Sequence, residues 1–118
     1  MNNGDLQRIR HIKTYCEDIA ETIARFGADY NTFVQDRDYC NSVSMSMMQI
    51  GEISGSLSDA FKSDTSHQMQ WRAMKAMRNL FAHAYASMSK EMIWASATKD
   101  VPELLAFCND VLAQHTEV

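Results

Sequence analysis

The sequence predicts an all-α protein, an antiparallel up-and-down bundle of four to five helices. Apolar residues recur at steps of three and four along most of the chain, and only four glycines and one proline interrupt its 118 residues. No convincing strand, repeat or low-complexity tract competes with that pattern. The length suits one compact domain, residues 1–118. A hydrophobic share of 46% and a charged share of 22% are ordinary globular proportions and count against native disorder. No apolar run approaches the roughly 20 residues of a membrane helix. The start, Met-Asn-Asn-Gly-Asp-Leu-Gln-Arg, lacks the apolar core of a secretory signal, so no membrane partner and a cytoplasmic location are expected. Cys16, Cys40 and Cys108 are odd in number and far apart, which argues against a disulfide framework or a zinc site in favour of small buried hydrophobes.

The first helix is expected over residues 6–26, with Ile9, Ile12, Cys16, Ile19, Ile23 and Phe26 as its stripe. Asp5 is its candidate N-cap and Gly27 its stop. A second helical stretch covers residues 32–57, its early part interrupted by Asp36, Arg37 and Asp38. Phe33, Cys40, Val43, Met47, Ile50 and Leu57 form its apolar face. Gly51 and Gly55 cost helix propensity there, which suggests close packing against a neighbour. Residues 56–66 read as a helix end and a loop. A third helix spans 68–86 and a fourth 90–98, capped by Ser89. Asp100 then caps a fifth, with Pro102 in its first turn, Glu103 placed for a capping box, and Leu104, Leu105, Cys108, Val111 and Leu112 facing the core.

The third helix carries the chemistry. Between Asp64 and Glu91 there is no acidic residue, while Arg72, Lys75, Arg78 and Lys90 give a local charge of +4. The rest of the chain therefore holds −8 of a total of −4. That acidic balance excludes a general nucleic-acid coat and confines any polyanion to this segment. At about 100° per residue, Met74, Met77, Leu80, Phe81, Ala84 and Met88 fall on a core side. Trp71, Lys75, Arg78, Asn79, Ala82, His83 and Ala86 fall on the other, with Arg72 at its edge. Asn79 and His83 are one turn apart and face the same way. Arg78 and His83 are about 140° apart around the axis and flank a groove. Arg78 and Tyr85 share a line at the border of the core.

A twofold dimer packed about this face would bring two Arg78–His83 sets together. Metal-free RNA cleavage needs a base for the 2′-OH proton, an acid for the leaving oxygen and a cation for the developing phosphorane charge. Histidine is the residue type suited to both proton transfers, two of them can share the work, and the arginine fork matches phosphate oxygens. The residues alone also allow a plainer reading: a partly exposed polar His83, a surface amide at Asn79, a boundary packing residue at Tyr85 and an anchor at Trp71. Glu52 either pairs with Arg78 or Lys75 across the bundle or stands as a solvated carboxylate.

The run Trp71-Arg72-Ala73-Met74-Lys75-Ala76-Met77-Arg78-Asn79-Leu80-Phe81-Ala82-His83-Ala84-Tyr85 resembles the hallmark of the HEPN superfamily. More narrowly it resembles the HepT-like (DUF86) family, whose motif is Arg, four to six residues, His, any residue, Tyr. Ile50-Gly51-Glu52-Ile53, Ile93-Trp94 and Val101-Pro102-Glu103-Leu104 resemble further parts of that family, so the likeness covers most of the chain. The sequence departs from it at Met69-Gln70, where Ile-Pro is usual, and at Ala84, where glycine is common.

The resemblance implies a HEPN-like bundle acting as the toxin of a toxin–antitoxin pair, a metal-independent ribonuclease that works as a homodimer. Arg78 and His83 would be catalytic with Asn79 in support, while the basic stripe itself offers Arg72 and Lys75 as RNA contacts. Tyr85 would match the tyrosine that a partner nucleotidyltransferase, the MNT-type antitoxin, modifies with AMP. No cofactor and no metal is expected. The alternative is a non-catalytic helical partner of a nucleotidyltransferase that binds nucleotide or RNA without cutting it.

Overall fold

A computed structural model describes residues 1–115, and among these every regular element is helical. Helix α1 (Asn3–Phe26) runs against α3 (Arg37–Gly55) and α7 (Val101–His115), and α3 in turn carries α5 (Trp71–Ala84) on its other flank. Short helices α2 (Tyr30–Gln35), α4 (Asp59–Asp64) and α6 (Lys90–Ala95) complete the all-α fold. The apolar stripes of the first two expected helices meet in the centre. Ile9, Ile12, Cys16, Phe33, Val43 and Cys108 are completely buried. All three cysteines are unpaired and buried, and burial pushes the Cys16 and Cys108 thiols up to about 12, keeping them neutral.

Local chemistry moves several boundaries. Asn2, not Asp5, caps α1 by accepting from the Asp5 N–H at 2.7 Å. Asp5 is instead buried, and its carboxylate accepts from the Ser58 backbone N–H (2.8 Å) and hydroxyl (2.6 Å), tying α1 to the start of α4. Gly27 ends α1 as expected, at φ +111°, a backbone conformation that side-chain-bearing residues avoid. The stretch expected as one helix over 32–57 divides at Asp36, which turns extended and caps α3 through the Tyr39 N–H. Residues 56–66, expected as a helix end and a loop, contain a separate short helix, α4, capped by Ser58.

Asp100 is not a cap. Helices α6 and α7 run on through a wide π turn at Ser96–Asp100, where Asp100 accepts from the Ser96 hydroxyl at 3.1 Å. Pro102 explains the widening: it has no N–H for the Thr98 carbonyl, and its ring would crowd that carbonyl in a regular helix.

Candidate active site

Helix α5 begins at Trp71, later than the expected residue 68, and no side chain caps it. Trp71 does not lie on the polar face. It is buried, packs against Phe61 and Phe107, and donates its indole N–H to the Thr65 hydroxyl at 2.9 Å. The wheel is thus rotated from the sequence expectation: Trp71, Phe81 and the stem of Arg78 face inward, and Leu80, expected in the core, is 41% exposed. The reason is that α5 packs chiefly on one neighbour, α3, so a narrow stripe suffices.

Arg78 sits where α5 touches α3. A Cβ placed on Gly51 would come within 2.5 Å of the Arg78 Cβ, so the glycine is what lets the helices meet there. Gly55 faces open space and serves no such contact. The half-exposed Arg78 guanidinium donates from Nε to Glu52 Oε1 at 2.5 Å and from Nη1 to Asn79 Oδ1 at 2.8 Å. Hydrogen bonding to Glu52, then its negative charge, raises the Arg78 pKa further, so this group stays cationic. Of the two readings of Glu52, the pairing with Arg78 is the one the structure forms.

Asn79 and His83 are both exposed on the outward face of α5. His83 lies five residues beyond Arg78, about 7.5 Å along the axis. Within one chain the two do not meet, because Arg78 turns toward α3 and His83 turns away from it. Helix α5 ends at Ala84, where the backbone opens to φ −143°, ψ 25°, and Tyr85–Ser87 form a 3₁₀ turn. Tyr85 therefore leaves the regular helical line it was expected to share with Arg78. Its ring packs near Phe81 and its hydroxyl, in a residue 40% exposed, donates to Asn41 Oδ1 at 2.9 Å. Asn41 was not legible in the sequence, since it lies 44 residues away and outside any motif.

Arg72 and Lys75 are exposed. With Arg78 they line a groove of about 980 Å³ between α5, α4 and the C-terminal half of α3. Among the described residues, no group of three or more His, Cys, Asp or Glu side chains is gathered as metal ligands.

The family model described as Ribonuclease HepT-like matches residues 12–111. The chain belongs to that family. Membership in a ribonuclease family implies an RNA substrate. The chain is 27% identical over 104 residues to "Putative RNase TTE0752" of Caldanaerobacter subterraneus subsp. tengcongensis, covering 88% of this chain and 90% of that protein. It is 26% identical over 100 residues to "Putative RNase MJ1380" of Methanocaldococcus jannaschii, covering 80% of this chain and 91% of that protein. No solved structure matches it. Among the described residues, no helix is long and apolar enough to cross a membrane.

Proposed function

We propose that this HepT-like chain folds as a single domain and acts as a homodimeric, metal-independent endoribonuclease with Arg78, His83 and Asn79 in its active site. The observation that carries the reading is the pairing on one helix, α5, of a guanidinium oriented by Glu52 and Asn79 with an exposed imidazole that has no hydrogen-bond partner among the described residues. Twofold pairing about this face supplies two imidazoles. One takes the 2′-OH proton as that oxygen attacks phosphorus. The other protonates the departing 5′-oxygen as the P–O5′ bond breaks. The arginines stabilise the phosphorane charge. The exposed Leu80, with Ala82 and Ala86, gives the partner helix a close approach.

We further propose that the chain is the toxin of a toxin–antitoxin pair, silenced when an MNT-type nucleotidyltransferase transfers AMP to Tyr85. The tyrosyl oxygen would attack the α-phosphorus of ATP and pyrophosphate would leave. The exposure of Tyr85, held at the protein surface by a single side-chain hydrogen bond to Asn41, supports this, and an anionic adduct there would repel RNA phosphates.

RNA incubated with purified protein in EDTA tests the nuclease. Wild type is expected to cut, and His83→Ala to lose about 10²–10⁴-fold in rate. Equal cleavage by both would end the assignment, and RNA bound but uncut by wild type would leave the non-catalytic alternative. Mass spectrometry after incubation with an MNT-type nucleotidyltransferase and ATP should show AMP on Tyr85, and an unmodified Tyr85 in a fully neutralised complex would reject the adenylylation.

A further inference from the structure

The groove beside Arg78 is chemically unlike the rest of this acidic chain. Lys62 of α4, Arg72, Lys75 and Arg78 line it, and the one carboxylate among its described lining residues, Glu52, is already engaged by Arg78. Lys62, Arg72 and Lys75 enter no ion pair among the described residues. Arg72, Lys75 and Arg78 follow one another at steps of three along α5, about 4.5 Å apart in rise. Lys62 lies on the facing wall.

One further feature adds to the row of cations. The N-terminus of α5 lines the same groove through Gln70, Trp71, Arg72 and Ala73, and no side chain caps it. Its first-turn N–H groups and the positive end of the helix dipole favour a phosphate there.

We infer that this groove is a backbone track for single-stranded RNA, leading from the scissile position at Arg78 past Arg72 and Lys62 to the uncapped start of α5. The assignment rests on the ribonuclease reading for its choice of polyanion, but its test does not require cleavage. A single file of cations against one opposing lysine suits one strand of phosphates. A duplex would present two backbones across a wider face. Trp71 is buried and hydrogen-bonded, so it offers no platform for base stacking, and the track holds the strand through its phosphates.

Fluorescence anisotropy with a labelled 2′-O-methyl oligoribonucleotide of about twelve residues, titrated over a KCl series, reads the track. The 2′-O-methyl group blocks the proposed chemistry, so binding is measured whether or not the protein cuts. Lys62→Gln and Arg72→Gln should each weaken binding several-fold. Each should also reduce the slope of log K against log salt by about 0.7, the value for one phosphate contact to a single strand. Lys99→Gln, exposed and outside the groove, should change neither. Unchanged slopes in both groove variants, an equal loss in Lys99→Gln, or no binding by wild type at low salt would overturn the track. A duplex of the same sequence binding as tightly, with the same losses, would overturn its assignment to single strands. If the track variants behave as expected while natural RNA stays intact, the groove stands and the nuclease reading falls.

Discussion

Helices α1, α3 and α7 differ from α5 in what their apolar residues do. In the first group the stripes close on one another, and Ile9, Ile12, Val43 and Cys108 lose all contact with water. Helix α5 is as clearly amphipathic in sequence, yet only Trp71 and Phe81 are buried, and Leu80 stands in solvent with Ala76 and Ala82. A stripe of apolar residues therefore does not by itself fix which of them are buried within the chain. The central helices hold the stability, and the edge helix holds cations, an imidazole and unsatisfied apolar surface.

Truncating one residue of each kind separates the two roles. Ile12→Ala should cost about 2–5 kcal/mol, as buried aliphatic deletions do, seen as a lower urea midpoint with an unchanged slope. Leu80→Ala should stay within about 0.5 kcal/mol in the same measurement, yet weaken self-association in analytical ultracentrifugation. A large loss of monomer stability in Leu80→Ala would mean that α5 is held from both sides, and the contrast would disappear.

What could be read from sequence follows the same division. Spacing alone places Phe33, Cys40, Val43, Met47, Ile50 and Leu57 in the core and all are buried, because burial on several sides makes periodicity unambiguous. Leu80 and Trp71 were exchanged between faces, because a helix packed on one neighbour can rotate without breaking its own pattern. Asp5 looked like a cap by position, but its partner Ser58 is 53 residues away and no local signal marks it. The run around Arg78, Asn79, His83 and Tyr85 was legible as a family motif. The tie from Arg78 to Glu52 is one of two readings that the sequence leaves open, and the tie from Tyr85 to Asn41 is not legible at all, since Asn41 lies in α3 outside any motif.

Gly51 is where the two regions touch, and adding one methyl group there tests how tightly they are coupled. Gly51→Ala forces its Cβ against the Arg78 Cβ, which cannot swing aside as a flexible side-chain end would. The helices must separate, at about 1–3 kcal/mol for overpacking. RNA cleavage should fall by more than the small change in folded fraction explains, because the guanidinium moves with α5. Gly55→Ala, facing open space, should lose neither stability nor activity and gain slightly from helix propensity. Matching losses in the two variants would show that close approach at Gly51 is not what places Arg78.

The smallest effect is expected where the two regions exchange charge. Glu52 neutralises Arg78 in the free protein, so an incoming phosphate must compete with a carboxylate already in hydrogen-bond contact. The pair is partly solvated, which limits what it contributes. Glu52→Gln keeps an acceptor oxygen for the guanidinium but removes the competing charge. RNA affinity at low salt should therefore rise, by up to about fivefold, with the gain shrinking as salt screens it. The cleavage rate at saturating RNA separates orientation from competition. An unchanged rate would mean that the remaining amide oxygen still aims Arg78, and a fall despite tighter binding would mean that the full charge of Glu52 is needed to hold it.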